Sequence, residues 1–171
     1  MGASFFSVLE YAEYDLYTAF GRINIPRDYK LFSAIALGDG GLTDNPIYPP
    51  RGLPPDCSFD AFDLFFTEPE VVKEYISTST SESEEEMSLE EYVKGFGKWA
   101  IKEYKENGYL LAPETYDHSW LNLNELKEAM AHQGLNLERM SMGFKAMMSA
   151  MEVLAKEYGP EKVRLVFCFG M

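Results

Sequence analysis

The run Val163-Arg164-Leu165-Val166-Phe167-Cys168-Phe169 decides the fold. Successive side chains of an extended chain point to opposite faces. Val163, Leu165, Phe167 and Phe169 therefore share one face, and Arg164, Val166 and Cys168 share the other. A segment this apolar on both sides belongs inside a sheet. Its partners are sought at the other end of the chain. Residues 4–11 alternate as a strand, with Phe5 and Leu9 on one side and Phe6 and Val8 on the other. Residues 14–20 read as a second strand, and the short link at Ala12-Glu13 predicts a hairpin. The expected architecture is α+β. A small, mainly antiparallel sheet of the N-terminal hairpin and the C-terminal strand packs several helices on one face, in a single domain over residues 1–171.

The helices are read from caps and periodicity. Asp28 caps a helix to about Leu37, which Gly38-Asp39-Gly40-Gly41 ends; those glycines match neither a dinucleotide-binding nor a phosphate-binding loop. Short helices are expected over residues 58–66 and 70–76. Ser88 and Glu91 form a capping box that opens a helix with an apolar stripe of Leu89, Tyr92, Val93, Phe96, Trp99, Ala100 and Tyr104, weakened by Gly95 and Gly97 and stopped at Gly108. Asn122 with Glu125 opens another, which Gly134 stops. Asn136 caps the last helix, whose methionine-rich stripe from Leu137 to Tyr158 reads as adaptable core.

Composition narrows the function. The chain has 171 residues, 46% hydrophobic and 15% aromatic, with a formal net charge of −13. That charge opposes direct binding to nucleic acid or to an anionic membrane. No apolar run is long enough to span a bilayer, and no signal-peptide pattern is present. Cys57 and Cys168 are the only cysteines, outside any CxxC pair, so free thiols and a cytoplasmic location are expected. His118 and His132 are too few for a usual zinc site, so neither metal nor cofactor is expected. Residues 77–88 are rich in serine and glutamate and read as an acidic mobile loop. Such a surface can compete for a basic groove on a partner.

The candidate chemistry lies in two polar stretches. Pro49-Pro50-Arg51-Gly52-Leu53-Pro54-Pro55-Asp56 is stiff, because four prolines set φ at four positions and restrict their predecessors. It presents Arg51, whose planar guanidinium suits a carboxylate, a phosphate or backbone carbonyls. Asp117-His118-Ser119 is not a triad, since adjacent side chains on an extended chain diverge. Residues 43–56 and 115–120 both lack periodicity, and each precedes a helix. If they meet, Arg51, His118, Ser119 and Trp120 line one pocket, with Arg51 and His118 for an anion and Trp120 for a ring. That set suits a small anionic, nucleotide-like ligand.

The start Met1-Gly2, Arg27-Asp28-Tyr29-Lys30-Leu31-Phe32, Pro50-Arg51-Gly52-Leu53-Pro54 with Asp56, His118-Ser119-Trp120-Leu121 with Glu125-Leu126, and Val163-Arg164-Leu165-Val166-Phe167 follow one another in this order. Together they resemble a family of small uncharacterised proteins frequent in bacteriophages and prophages. Members open Met-Gly-Cys-Asp-Ile-His and close Val-Arg-x-Val-Phe-x-Phe-Asp-Asn. This chain reads Ala3-Ser4-Phe5-Phe6 and Gly170-Met171 at those places, so any chemistry of the family's Cys, Asp, His and terminal Asp-Asn is lost here. The resemblance implies a non-catalytic accessory protein acting in the host cytoplasm. Its expected role is counter-defence, by sequestering a nucleotide-like ligand or blocking a host effector protein. Two other readings stand beside it: a phosphoester or nucleotide hydrolase using His118 and Arg51, and a structural or assembly partner.

Overall fold

The computed structural model describes residues 3–36, 46–80 and 87–171. At its centre is a four-stranded sheet of β1 (Ser4–Glu13), β2 (Leu16–Ile23), β5 (Thr115–Asn122) and β6 (Val163–Gly170), in the order β2-β1-β6-β5. Every neighbouring pair is antiparallel. The C-terminal strand is interior, as its composition requires, and pairs with β1 from Ser4↔Gly170 to Tyr11↔Val163. The fold is α+β. A second, two-stranded sheet joins β3 (Phe66–Thr67) to β4 (Leu110–Leu111).

Helices cover both faces of the main sheet rather than one. The reason lies in β6, which is buried at all eight positions and so needs an apolar layer on each side. Phe5, Leu9, Leu165, Phe167 and Phe169 pack against α1 (Tyr29–Ile35), α6 (Leu123–His132) and α7 (Met142–Tyr158). Val166 and Cys168 lie under α2 (Phe59–Phe65), α3 (Pro69–Ser79), α4 (Leu89–Lys94) and α5 (Lys98–Asn107). Fully burying a side chain such as Phe167 contributes about 1.5–3 kcal/mol. Met147, Met148 and Met151 are core, not groove.

The side-chain caps form where the sequence places them. The Asp28 carboxylate accepts from the amides of Lys30 and Leu31, and reciprocal capping boxes join Ser88 to Glu91 and Asn122 to Glu125. Further expectations are corrected. The helix opened by Ser88 is two helices, because two glycines within three residues remove helical propensity between Lys94 and Lys98. Asn136 caps only a 3-10 turn at Leu137–Arg139, and the Ser141 hydroxyl, accepting from the Phe144 amide, starts α7. The hairpin turns at Tyr14-Asp15, beyond the expected link. Residues 115–120 are strand. A register shift between Tyr116 and Ser119, with Asp117 at φ 50°, breaks the alternation that would have revealed it. Of the acidic stretch, Ser77, Thr78 and Ser79 belong to α3. Residues 81–86, the glycines at 38–41 and the turn expected at Asp44-Asn45 lie outside the described residues. No described helix is long and apolar enough to cross a membrane.

Candidate functional site

The two polar stretches meet. β5 is an edge strand, and carbonyls two residues apart on a strand point to the same edge. The proline loop covers that edge. The Gly52 amide donates to the His118 carbonyl at 2.8 Å. The Arg51 amide donates to Ser119 Oγ at 3.1 Å, and Arg51 Nε donates to the Trp120 carbonyl at 3.2 Å. An unpaired strand edge invites association with other chains, and here it is closed from within.

Arg51 completes its bonding internally. Nη1 and Nη2 donate to the two carboxylate oxygens of Glu125 at 3.0 and 2.7 Å, a bidentate pair. The guanidinium carbon lies 3.8 Å from the centre of the Trp120 ring. Glu125 is at once counter-ion and cap: its Oε2 also accepts from the Asn122 amide at 2.9 Å. Burial pushes the Glu125 carboxyl up, but the hydrogen bonds from Arg51 and Asn122, with the Arg51 charge, outweigh it and hold the group below its ordinary range. Two backbone donors at the start of α6, the amides of Asn122 and Glu125, are thus occupied by its own capping box.

The other end of the loop is held by groups that sequence reasoning left without a role. Glu10 and Arg164 face each other in the β1–β6 register, and both are fully buried. Arg164 Nε donates to Glu10 Oε2 at 2.6 Å, and Nη2 donates to the Pro55 carbonyl at 2.9 Å. Glu10 Oε1 accepts from the amide and hydroxyl of Ser58 at 2.7 and 2.6 Å. The Arg164 guanidinium sits 3.3 Å from the Tyr17 ring centre. The available signal was one acid and one base placed inside otherwise apolar strands.

His118 occupies a different environment from Arg51. Its side chain is buried, and its ring is wrapped by Phe65, Phe96 and Trp99, with centroids 4.9, 5.9 and 5.5 Å away. Nε2 lies 2.9 Å from Thr115 Oγ1, whose hydroxyl donates to the Ala112 carbonyl at 2.7 Å. A threonine hydroxyl has one hydrogen. Both contacts are hydrogen bonds only if Nε2 carries the proton, which leaves the lone pair on Nδ1. A recess of about 280 Å³ opens beside the ring, bounded by Pro50, Phe96, Trp99, Tyr116 and Asp117; Arg51, Ser119 and Trp120 do not line it. The four expected site residues are therefore neighbours along β5 and its covering loop, but they do not share one pocket.

Burial pushes the His118 imidazole down to about 4. Between that value and the ordinary 6.5 the unfolded chain binds a proton that the folded chain refuses. Stability therefore rises with pH across this window: His118 costs nothing above about pH 6.5 and about 3 kcal/mol near pH 4. Urea unfolding at pH 7, 5.5 and 4.5 is expected to show the loss, and His118→Gln is expected to flatten that part of the profile. An equally steep fall in the variant would assign the acid sensitivity to the carboxylates alone.

The described thiols are not poised as nucleophiles. Burial, then the Glu10 charge, raises Cys57 to about 11, and burial raises Cys168 to about 12. Among the described residues, no three His, Cys, Asp or Glu side chains converge as a metal site would require. Comparison with protein-family models, curated proteins and solved structures finds no match.

Proposed function

We propose that this protein is a non-catalytic accessory binding protein of the phage type its motifs resemble, and that it blocks a basic host protein through its acidic helical layer. The observation that carries this is the distribution of charge. Fourteen acidic and five basic residues lie between Asp56 and Ala112, so that stretch holds −9 of the net −13. Its described part forms the α2–α5 layer, where Glu68, Glu70, Glu74, Glu90 and Glu106 are exposed. A concentrated field of one sign accelerates encounter with a partner of the other sign and excludes nucleic acid. Counter-defence is the setting that the phage resemblance implies, with the host cytoplasm as its place. Anion sequestration and phosphoester hydrolysis both require a cation free to hold phosphate. The pairing of Arg51 with Glu125 favours the blocking reading over either.

Co-purification of the full chain from a host extract tests the reading. The expected partner is a basic protein retained at low salt and released as the ionic strength approaches about 1 M, where screening acts within about 3 Å. Replacing Glu70, Glu74 and Glu90 by lysine is expected to weaken its capture by about tenfold or more, the range in which steering operates, without lowering the melting temperature. Undiminished capture by that variant would overturn the proposal.

A further inference from the structure

We propose that the cleft between α2, the start of α3 and β4 seats an arginine side chain of the basic partner, its guanidinium stacked on an aromatic cluster and paired with Glu68. This rests on the blocking reading above and gives the acidic surface its anchor. Three observations converge on it.

The first is the aromatic cluster. Phe59 and Phe62, three residues apart, share one face of α2, while Ala61 and Phe65 are buried in the core. The Phe62 ring meets Phe66 and Tyr109 with centroids 4.8 and 4.7 Å away. Phe59 is 77% exposed and Tyr109 38%, and both line a cleft of about 420 Å³, within the range of ligand pockets. Aromatic surface gathered at a cleft and left in water marks a place where a partner binds.

The second is charge. Asp63 and Glu68 are the charged residues of the lining, and Arg22 already holds Asp63 at 2.6 Å. Glu68 is exposed, and its carboxylate makes no hydrogen bond or ion pair among the described residues. The amide end of α3 opposes a cation here and Glu68 offsets it, while the carbonyl end of α5, at Gly108, favours one.

The third is the way this chain holds its own arginines. Arg51 takes the face of Trp120 and the carboxylate of Glu125; Arg164 takes the face of Tyr17 and the carboxylate of Glu10. The cleft offers the same two kinds of group. Among the described residues, no cation of this chain lies over Phe59, Phe62 or Tyr109. A planar guanidinium stacks on a ring and forks onto a carboxylate together, which an ammonium does not, so arginine is the better occupant.

NMR of the intact protein at pH 7 tests this with acetyl-Gly-Arg-Gly-amide and its lysine and citrulline counterparts; citrulline keeps the shape of arginine without its charge. The arginine peptide at millimolar concentration is expected to shift the ring resonances of Phe59, Phe62 and Tyr109. The citrulline peptide is expected to bind about fivefold or more weakly, the combined loss of one exposed cation–π contact and one surface ion pair. Phe59→Ser with Glu68→Gln is expected to weaken the arginine peptide by a similar factor, and the measurement on the unaltered chain stands even if that variant fails to fold. The seat is overturned if the arginine peptide moves none of these rings, if the citrulline or lysine peptide binds as tightly, or if the double variant binds undiminished. Arginine shifts at these rings without capture of a basic protein from the host extract would overturn the blocking reading and leave the seat standing. Capture of such a protein with the rings unmoved by arginine would overturn the seat alone.

Discussion

Arg164→Met is expected to lower the unfolding free energy by about 3–5 kcal/mol, the range for removing one partner of a buried ion pair. The Glu10 carboxylate is then left at full burial with only Ser58 as donor, and the Pro55 carbonyl loses the Nη2 hydrogen. Losing the charge is more damaging than losing the attraction, because an uncompensated carboxylate in the interior retains its desolvation cost. The double variant Glu10→Gln/Arg164→Met separates the two effects. A glutamine keeps Oε1 as acceptor for the amide and hydroxyl of Ser58 but carries no charge. The double variant is expected to recover about 1–2 kcal/mol or more over the single one. Urea midpoints at pH 7 measure both. A double variant no more stable than Arg164→Met would mean that packing of the guanidinium against Tyr17, rather than the ion pair, carries the loss.

Gly52→Ala is the second large effect, expected at about 2–4 kcal/mol from backbone strain and overpacking together. Gly52 has φ +79°, and a Cβ built there would lie 2.5 Å from Trp99 Cδ2, in the body of the indole rather than at a yielding tip. To admit it, the loop must lift from β5, loosening the amide bond to the His118 carbonyl, or Trp99 must leave the recess wall. Gly108 supplies the control. It has a similar φ of +74° with nothing within 4 Å of an added Cβ, so Gly108→Ala is expected to cost only the strain of about 1–2 kcal/mol. The difference between the two alanine variants in urea unfolding isolates the clash, and tryptophan fluorescence is expected to change only for Gly52→Ala. Equal costs and unchanged fluorescence would mean that Trp99 yields freely.

The candidate site was only partly legible. Arg51 stood out because four prolines make its loop stiff, and Glu125 because its spacing from Asn122 makes a capping box. That each serves the other did not follow, since the capping rule concerns donors of one helix and says nothing of a loop 74 residues earlier in the chain. The bulge near Asp117 hid β5 by interrupting the two-residue period. With that strand unseen, the sheet edge that the loop closes was unseen too.

Local chemistry determined the α+β class, the interior C-terminal strand, its antiparallel pairing with the N-terminal hairpin, and the helix caps. The strands and caps depend on residues near one another in sequence, where period and hydrogen-bonding capacity act directly, and the pairing of the two chain ends follows from the need of so apolar a strand for a neighbour on each side. Tertiary structure alone decided that helices cover both faces, that Glu10 and Arg164 neutralise each other, that Arg51 is bound to Glu125, and that the His118 ring is enclosed by Phe65, Phe96 and Trp99. These outcomes turn on long-range register and on which groups lose water together, and desolvation is a property of the assembled surroundings rather than of any one segment.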